Sequence, residues 1–203
     1  MNLENVSDMY CDVLREIGNI GAGNATTAIA NMIGLKIDMS VPTVKLMNLS
    51  DMGGALGDEE AMVVGIFLEV ELDVQGSMMF IMDMPSAHFL VNKLMMRPDD
   101  YNEPFDDMDL SAIKEVGNII AASYLSALSG LTNMVISPSV PYLCIDMAAA
   151  ILSVPAIQFG AVGDKVLMIE TEFGDDFAVK GNFILMPDEE SYDKILRSLG
   201  VLA

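Results

Sequence analysis

Apolar positions near the start of the chain recur every three or four residues. On a helix turning about 100° per residue, Val13, Leu14, Ile17 and Ile20 fall between roughly 80° and 200° from Asp12. This periodicity predicts a helix over residues 5–32. The pattern then changes to short apolar runs at 41–47, 61–72 and 76–82. The stretch Glu69-Val70-Glu71-Leu72-Asp73-Val74 alternates acidic and apolar residues, the period of a strand. A further helix is expected over 86–96, with Ser86 as its cap after Pro85.

The same order then recurs. A helix is expected over 109–128, starting near Asp109 or Ser111. Strands follow at 141–147, 156–159, 165–173 and 177–185, then a short helix at 189–199. Met186-Pro187 before this last helix reads as the counterpart of Met84-Pro85. The chain therefore divides into repeat 1 (residues 1–97) and repeat 2 (residues 109–203). The acidic, Pro-bearing stretch between them reads as an exposed connector. Two such halves fit a single domain over 1–203 better than two independent ones. The expected fold is α/β in the broad sense, an α+β unit with pseudo-two-fold symmetry. Long helices would pack on an antiparallel or mixed sheet.

A polar signature is superimposed on this repeat. Asp12-x-x-x-Glu16-x-x-Asn19 is followed by Pro42, and Ser111-x-x-x-Glu115-x-x-Asn118 by Pro141; 22 residues separate Asn from Pro in each copy. On the helical wheel Glu16 lies near 40° and Asn19 near −20° from Asp12, so the three share one narrow face beside the apolar sector. Ser111, Glu115 and Asn118 repeat this next to Ala112, Ile113, Val116 and Ile119. One such helix face is commonplace. Its repetition in register, with matched prolines, points to a site used twice. Pro42 and Pro141 are expected to start a strand or fix a turn rather than do chemistry.

Composition narrows the chemistry. A net charge of −20 opposes binding to phosphate backbones and anionic membranes. With 52% hydrophobic residues the chain can fill a core, and its 18 Met are expected mainly there. Cys11 and Cys144 have no metal-like spacing, and the lone histidine, His88, is far in sequence from both signatures. A zinc site and a His-based triad are therefore not expected. No basic-then-apolar leader and no span of roughly 18 apolar residues is evident. The expectation is a cytoplasmic protein with reduced thiols. The glycines of Gly18-Asn-Ile-Gly21-Ala-Gly23 do not form a phosphate loop, lacking the Lys-Ser/Thr and the preceding strand. Each internal glycine costs a helix about 1 kcal/mol relative to Ala. Close packing against another segment is the expected reason for all of them.

The signature, with Leu14-Arg15-Glu16-Ile17-Gly18-Asn19-Ile20-Gly21 and Ile113-Lys114-Glu115-Val116-Gly117-Asn118-Ile119 around it, resembles that of the CheC/CheX/FliY family of chemotaxis phosphatases. The likeness extends over essentially the whole chain. Two intact copies at this length look most like the CheC branch, since CheX proteins are shorter and FliY proteins carry an added switch domain. The resemblance implies hydrolysis of the aspartyl phosphate on the response regulator CheY and a possible complex with the receptor deamidase CheD. It implies that Glu16 and Glu115 engage a lysine of the partner. Asn19 and Asn118 are the candidates to hold the attacking water. Asp12 and Ser111 would support docking or helix geometry. No cofactor is expected on this chain, because Mg²⁺ would be held by the phosphorylated receiver. The competing expectation is a non-catalytic adaptor that retains phosphorylated CheY or regulates CheD. A structural flagellar switch component is a third.

Overall fold

The computed structural model describes residues 8–36, 40, 42–48, 58–159, 165–173 and 179–200. In chain order the elements are α1 (Asp8–Ile33), β1 (Thr43–Asn48), β2 (Met62–Leu72), β3 (Gly76–Asp83), α2 (Met84–Leu94), α3 (Asp107–Thr132), β4 (Ile136–Pro138), β5 (Tyr142–Met147), α4 (Ala148–Phe159), β6 (Lys165–Phe173), β7 (Val179–Pro187) and α5 (Glu189–Ser198). The first seven residues of the chain, where the first helix is expected to begin, lie outside the described residues.

All strand pairings are antiparallel, in the order β1-β6-β7-β3-β2, with β4 and β5 both against β2. The order is an exchange. β1, from the first half, pairs with β6 of the second, while β5 returns to β2 of the first. The central pair β3·β7 joins the halves along the pseudo-dyad. A half taken alone would lose its own first strand to the other half.

Strand alternation builds two cores. Val64, Ile66 and Leu68 of β2, Met78, Phe80 and Met82 of β3, and Phe183 and Leu185 of β7 face the helix layer. Ile17, Ile113, Val116, Ile120 and Tyr124 meet them from α1 and α3. Val63, Met79, Ile81, Ile184 and Met186 point to the opposite face, where Ala148, Ile151 and Leu152 of α4 cover them. Because both faces are covered, β3 is buried over six successive residues instead of alternating with solvent. Met78, Met79, Met82, Met168 and Met186 are buried, as a core role requires, whereas Met32, Met62, Met96, Met108 and Met147 are exposed.

Four expectations change. Residues 156–159 belong to α4 and not to a strand. The segment is apolar on every side and interrupted by Pro155, so no period marked it as helical. β4 has three residues, too few for a pattern to register. Ser86 is not the cap of α2: Asp83 is, accepting from the Ser86 N–H at 2.7 Å, with Pro85 inside the first turn. Likewise α3 starts from Asp106, whose carboxylate accepts from the Met108 and Asp109 N–H groups in a capping box with Asp109.

The cap correction also shifts the internal alignment. α5 is capped by Asp188, which accepts from the Ser191 N–H at 2.7 Å. The true counterparts are Asp83-x-x-Ser86 and Asp188-x-x-Ser191, so Met84-Pro85 and Met186-Pro187 are not equivalent. Each serine then crosses to the other half. Ser86 Oγ accepts from the Lys180 N–H at 3.0 Å, and Ser191 Oγ from the Gln75 N–H at 2.7 Å. These two bonds are images of each other about the pseudo-dyad.

Candidate functional site

The two signature helices are α1 and α3, each 26 residues long, packed along one another on one face of the sheet. Their packing sides are fixed by burial. Ile17, Ala22, Ala25 and Ile29 are buried on α1; Ile113, Val116, Ile120, Ala121, Tyr124 and Leu128 on α3. Close approach is secured by glycines at two places. A Cβ on Gly21 would lie 3.0 Å from the Tyr124 Cα and overlap its ring; one on Gly117 would lie 2.8 Å from Ile66 Cγ2 of β2. Packing does explain these two. It does not explain Gly23, where an added Cβ meets nothing within 4 Å.

With the inner faces committed, the polar stripes are left outward. Glu16 and Glu115 are exposed, and Asn19 and Asn118 are half-buried at the border of the apolar face. Asn follows Glu by three residues, a rise of about 4.5 Å, so each pair shares one face across roughly one turn. The arrangement offers an exposed carboxylate beside a half-buried amide. Such an amide can accept from and donate to a water molecule without adding negative charge.

The supporting residues take different places. Ser111 is exposed, and its hydroxyl donates to the Asp107 carbonyl one turn back at 2.8 Å, a bond within its own helix. Asp12 lies in α1, but its side chain is outside the described residues. Pro42 is buried and Pro141 half-buried, each one residue ahead of its strand, β1 or β5. Those are the exchanged strands, so each proline stands at the entry to a strand that pairs with the other half's sheet.

The stripe extends further than the signature. Gly23 on α1 and Ala122 on α3 follow their Asn by four residues and their Glu by seven, which returns both to the same face. Gly23 is half-buried and Ala122 exposed. Small residues carry no chemical signal in a sequence, and in Gly18-Asn-Ile-Gly21-Ala-Gly23 the packing glycines masked this one.

Beside the start of α3, Arg97 reaches Asp109 from the end of α2, with Nη1 2.8 Å from Oδ1. Asp109 is only 1% exposed. Burial by itself would raise its pKa; the Arg97 hydrogen bond, the Asp106 N–H and the charges of Arg97 and His88 outweigh it and hold the carboxyl below its ordinary value. His88 stacks on Phe105 with centroids 4.2 Å apart, and burial lowers its pKa against the opposing charge of Asp109. Among the described residues, no group of three or more His, Cys, Asp or Glu is placed to hold a metal ion, and no helix is long and apolar enough to cross a membrane.

Comparison with known proteins matches the duplicated segments. The model of the CheC-like family matches residues 9–46 and 108–145, each running from a signature helix into the following exchanged strand. The chain is 37% identical over 202 residues to the CheY-P phosphatase CheC of Bacillus subtilis (strain 168), covering 96% of each chain. Its fold is similar to that of Thermotoga maritima FliY, with a TM-score of 0.75 at 22% identity over 97% of this chain and 98% of that one. It is also similar to a chain of the CheX-CheY-BeF3-Mg²⁺ complex from Borrelia burgdorferi, with a TM-score of 0.51 at 19% identity over 82% of this chain and 95% of that one.

Proposed function

The chain belongs to the CheC-like family, and from that premise we propose that it is a phosphatase hydrolysing the aspartyl phosphate of phosphorylated CheY. The observation that carries this reading is the pair of outward stripes: exposed Glu16 and Glu115, each one turn from a half-buried Asn19 or Asn118, on two rigid, mutually packed helices.

An acyl phosphate is already activated, and a receiver domain brings its own Mg²⁺ and lysine to the phosphoryl group. What remains is to place a water in line with the bond to be broken. Positioning and fixed dipoles are the main contributions a protein makes to phosphoryl transfer. In each site the Asn carboxamide holds that water. Its oxygen attacks phosphorus, the bond from phosphorus to the acyl oxygen breaks, and the receiver's aspartate leaves as a carboxylate. The water's protons pass to the phosphate and solvent. A carboxylate in the Asn position would repel the phosphoryl oxygens. The Glu one turn away serves instead as an anchor for a partner lysine, at the rim, where an ion pair aligns the receiver. The receiver supplies the metal, and no step requires one on this chain.

On the family resemblance the reading extends to a complex with CheD. Phosphate release from phosphorylated CheY tests the activity. Asn19→Ala with Asn118→Ala should slow the accelerated release by about 100-fold or more while receiver binding persists. Each single variant should retain the rate of the remaining site, roughly half the total if the two sites are independent and equal. Full activity in the double variant would overturn the mechanism. Retention of phosphorylated CheY by the unaltered chain, without turnover, would instead identify an adaptor.

A further inference from the structure

Gly23 stands in the interior of α1, and neither of the usual reasons for a helical glycine applies to it. Its φ is not positive; among the described glycines only Gly34, Gly76 and Gly200 have that conformation. No neighbour crowds it, since a Cβ there would meet nothing within 4 Å, in contrast to Gly21 and Gly117. Gly130 also has open space, but it lies in the last turn of α3, where a glycine disturbs little. Gly23 bears the helix penalty with no close packing contact among the described residues to account for it. It lies on the face of α1 that carries Glu16 and Asn19.

Resting on the reading proposed above, we infer that Gly23 is a positioning residue for the docked receiver: the missing methyl lets the partner's backbone settle against α1, and so sets how closely Asn19 approaches the phosphoryl group. The repeat has Ala122 at the equivalent place, exposed, one turn beyond Asn118. The two sites are therefore unequal. The α1 site admits the closer approach, and the α3 site holds the receiver off by one methyl group.

The sites are separated by testing each where the other is disabled. In an Asn118→Ala background, Gly23→Ala should raise the melting temperature by about 2–4 °C, because an alanine helix is the more stable. The same change should hold the receiver away from Asn19, raising KM and lowering kcat, together roughly tenfold or more in kcat/KM. Gly23→Leu should abolish release from that site. In an Asn19→Ala background, Ala122→Gly should lower both the melting temperature and KM. Affinity for the receiver activated with beryllium fluoride and Mg²⁺, measured without turnover, should change in parallel. A more stable Gly23→Ala protein with unaltered KM and affinity would overturn the inference. Failure of the phosphatase reading would show separately, as phosphate release that persists when Asn19 and Asn118 are both replaced.

Discussion

The Tyr124 ring is held between Gly21 of α1 and Phe183 of β7, stacked on the latter with centroids 4.1 Å apart and 11° between planes. This contact sets the spacing of the signature helices and ties both to the centre of the sheet. The ring cannot retreat from an intruding methyl, because Phe183 is behind it. Gly21→Ala should therefore destabilise the protein by about 1–3 kcal/mol despite its better helix propensity. Chemical denaturation checks this, read beside Gly23→Ala, which should change stability in the opposite direction from a position only two residues away.

The Arg97–Asp109 pair joins the end of α2 to the first turn of α3. Its Asp109 side chain is 2% exposed, so loss of Asp109 would leave the guanidinium with the more distant carboxylate of Asp106, 3.7 Å away. Asp109→Ala should destabilise the protein by more than the loss of a fully exposed surface pair would. The pH dependence has a definite sign. Because the folded carboxyl titrates below the ordinary value of 3.8, its contribution is complete above that pH and is lost as pH falls through the folded pKa. The stability gap between the parent and Asp109→Ala proteins should hold through neutral pH and close only under more acid conditions. Denaturation midpoints across pH 3–7 would measure it.

The two serines that cross the pseudo-dyad should behave as a matched pair. Ser86 and Ser191 are 3% and 1% exposed, and each accepts a backbone N–H from the other half. Ser86→Ala leaves the Lys180 N–H without its acceptor, and Ser191→Ala does the same to Gln75. Each should cost about 1–3 kcal/mol. Equal losses would show that the halves are locked at two equivalent points. A large loss at one and none at the other would show that the symmetry of the bonds does not extend to their energies.

The signature glutamates should separate from the asparagines in kind. Glu16→Ala with Glu115→Ala removes the exposed carboxylates that would meet a partner lysine, so both affinity for phosphorylated CheY and turnover should fall. Raised salt should weaken parent binding and have less effect on this variant. Titration of the activated receiver at two ionic strengths checks it, and unchanged affinity in the double variant would reject the lysine-pairing role.

Much of this was legible in the residues because helical period is a local property. Ile17 and Glu16, or Ile113 and Glu115, are adjacent in sequence, and a turn of 100° per residue places them on different faces before any tertiary contact forms. The twofold signature could be found for the same reason, since it repeats within single helices. The capping of α2 was misplaced by three residues because Asp83 and Ser86 are both capping types, and only the backbone decides between them. Residues 156–159 read as a strand because the segment Ala148–Phe159 is largely apolar and shows no helical period, and its helix is identified by the sheet face it covers.

The sequence by itself determined the repeated order of elements, the outward stripes with Glu16, Asn19, Glu115 and Asn118, and an α+β unit whose sheet could be antiparallel or mixed. These depend on the order of neighbouring residues along one helix or strand. Tertiary structure alone decided the exchange of β1 and β5, the reciprocal bonds of Ser86 and Ser191, and the difference between Gly21 beside Tyr124 and Gly23 beside open space. Each of those depends on which distant segment arrives at a given point, and two glycines two residues apart are chemically identical until it does.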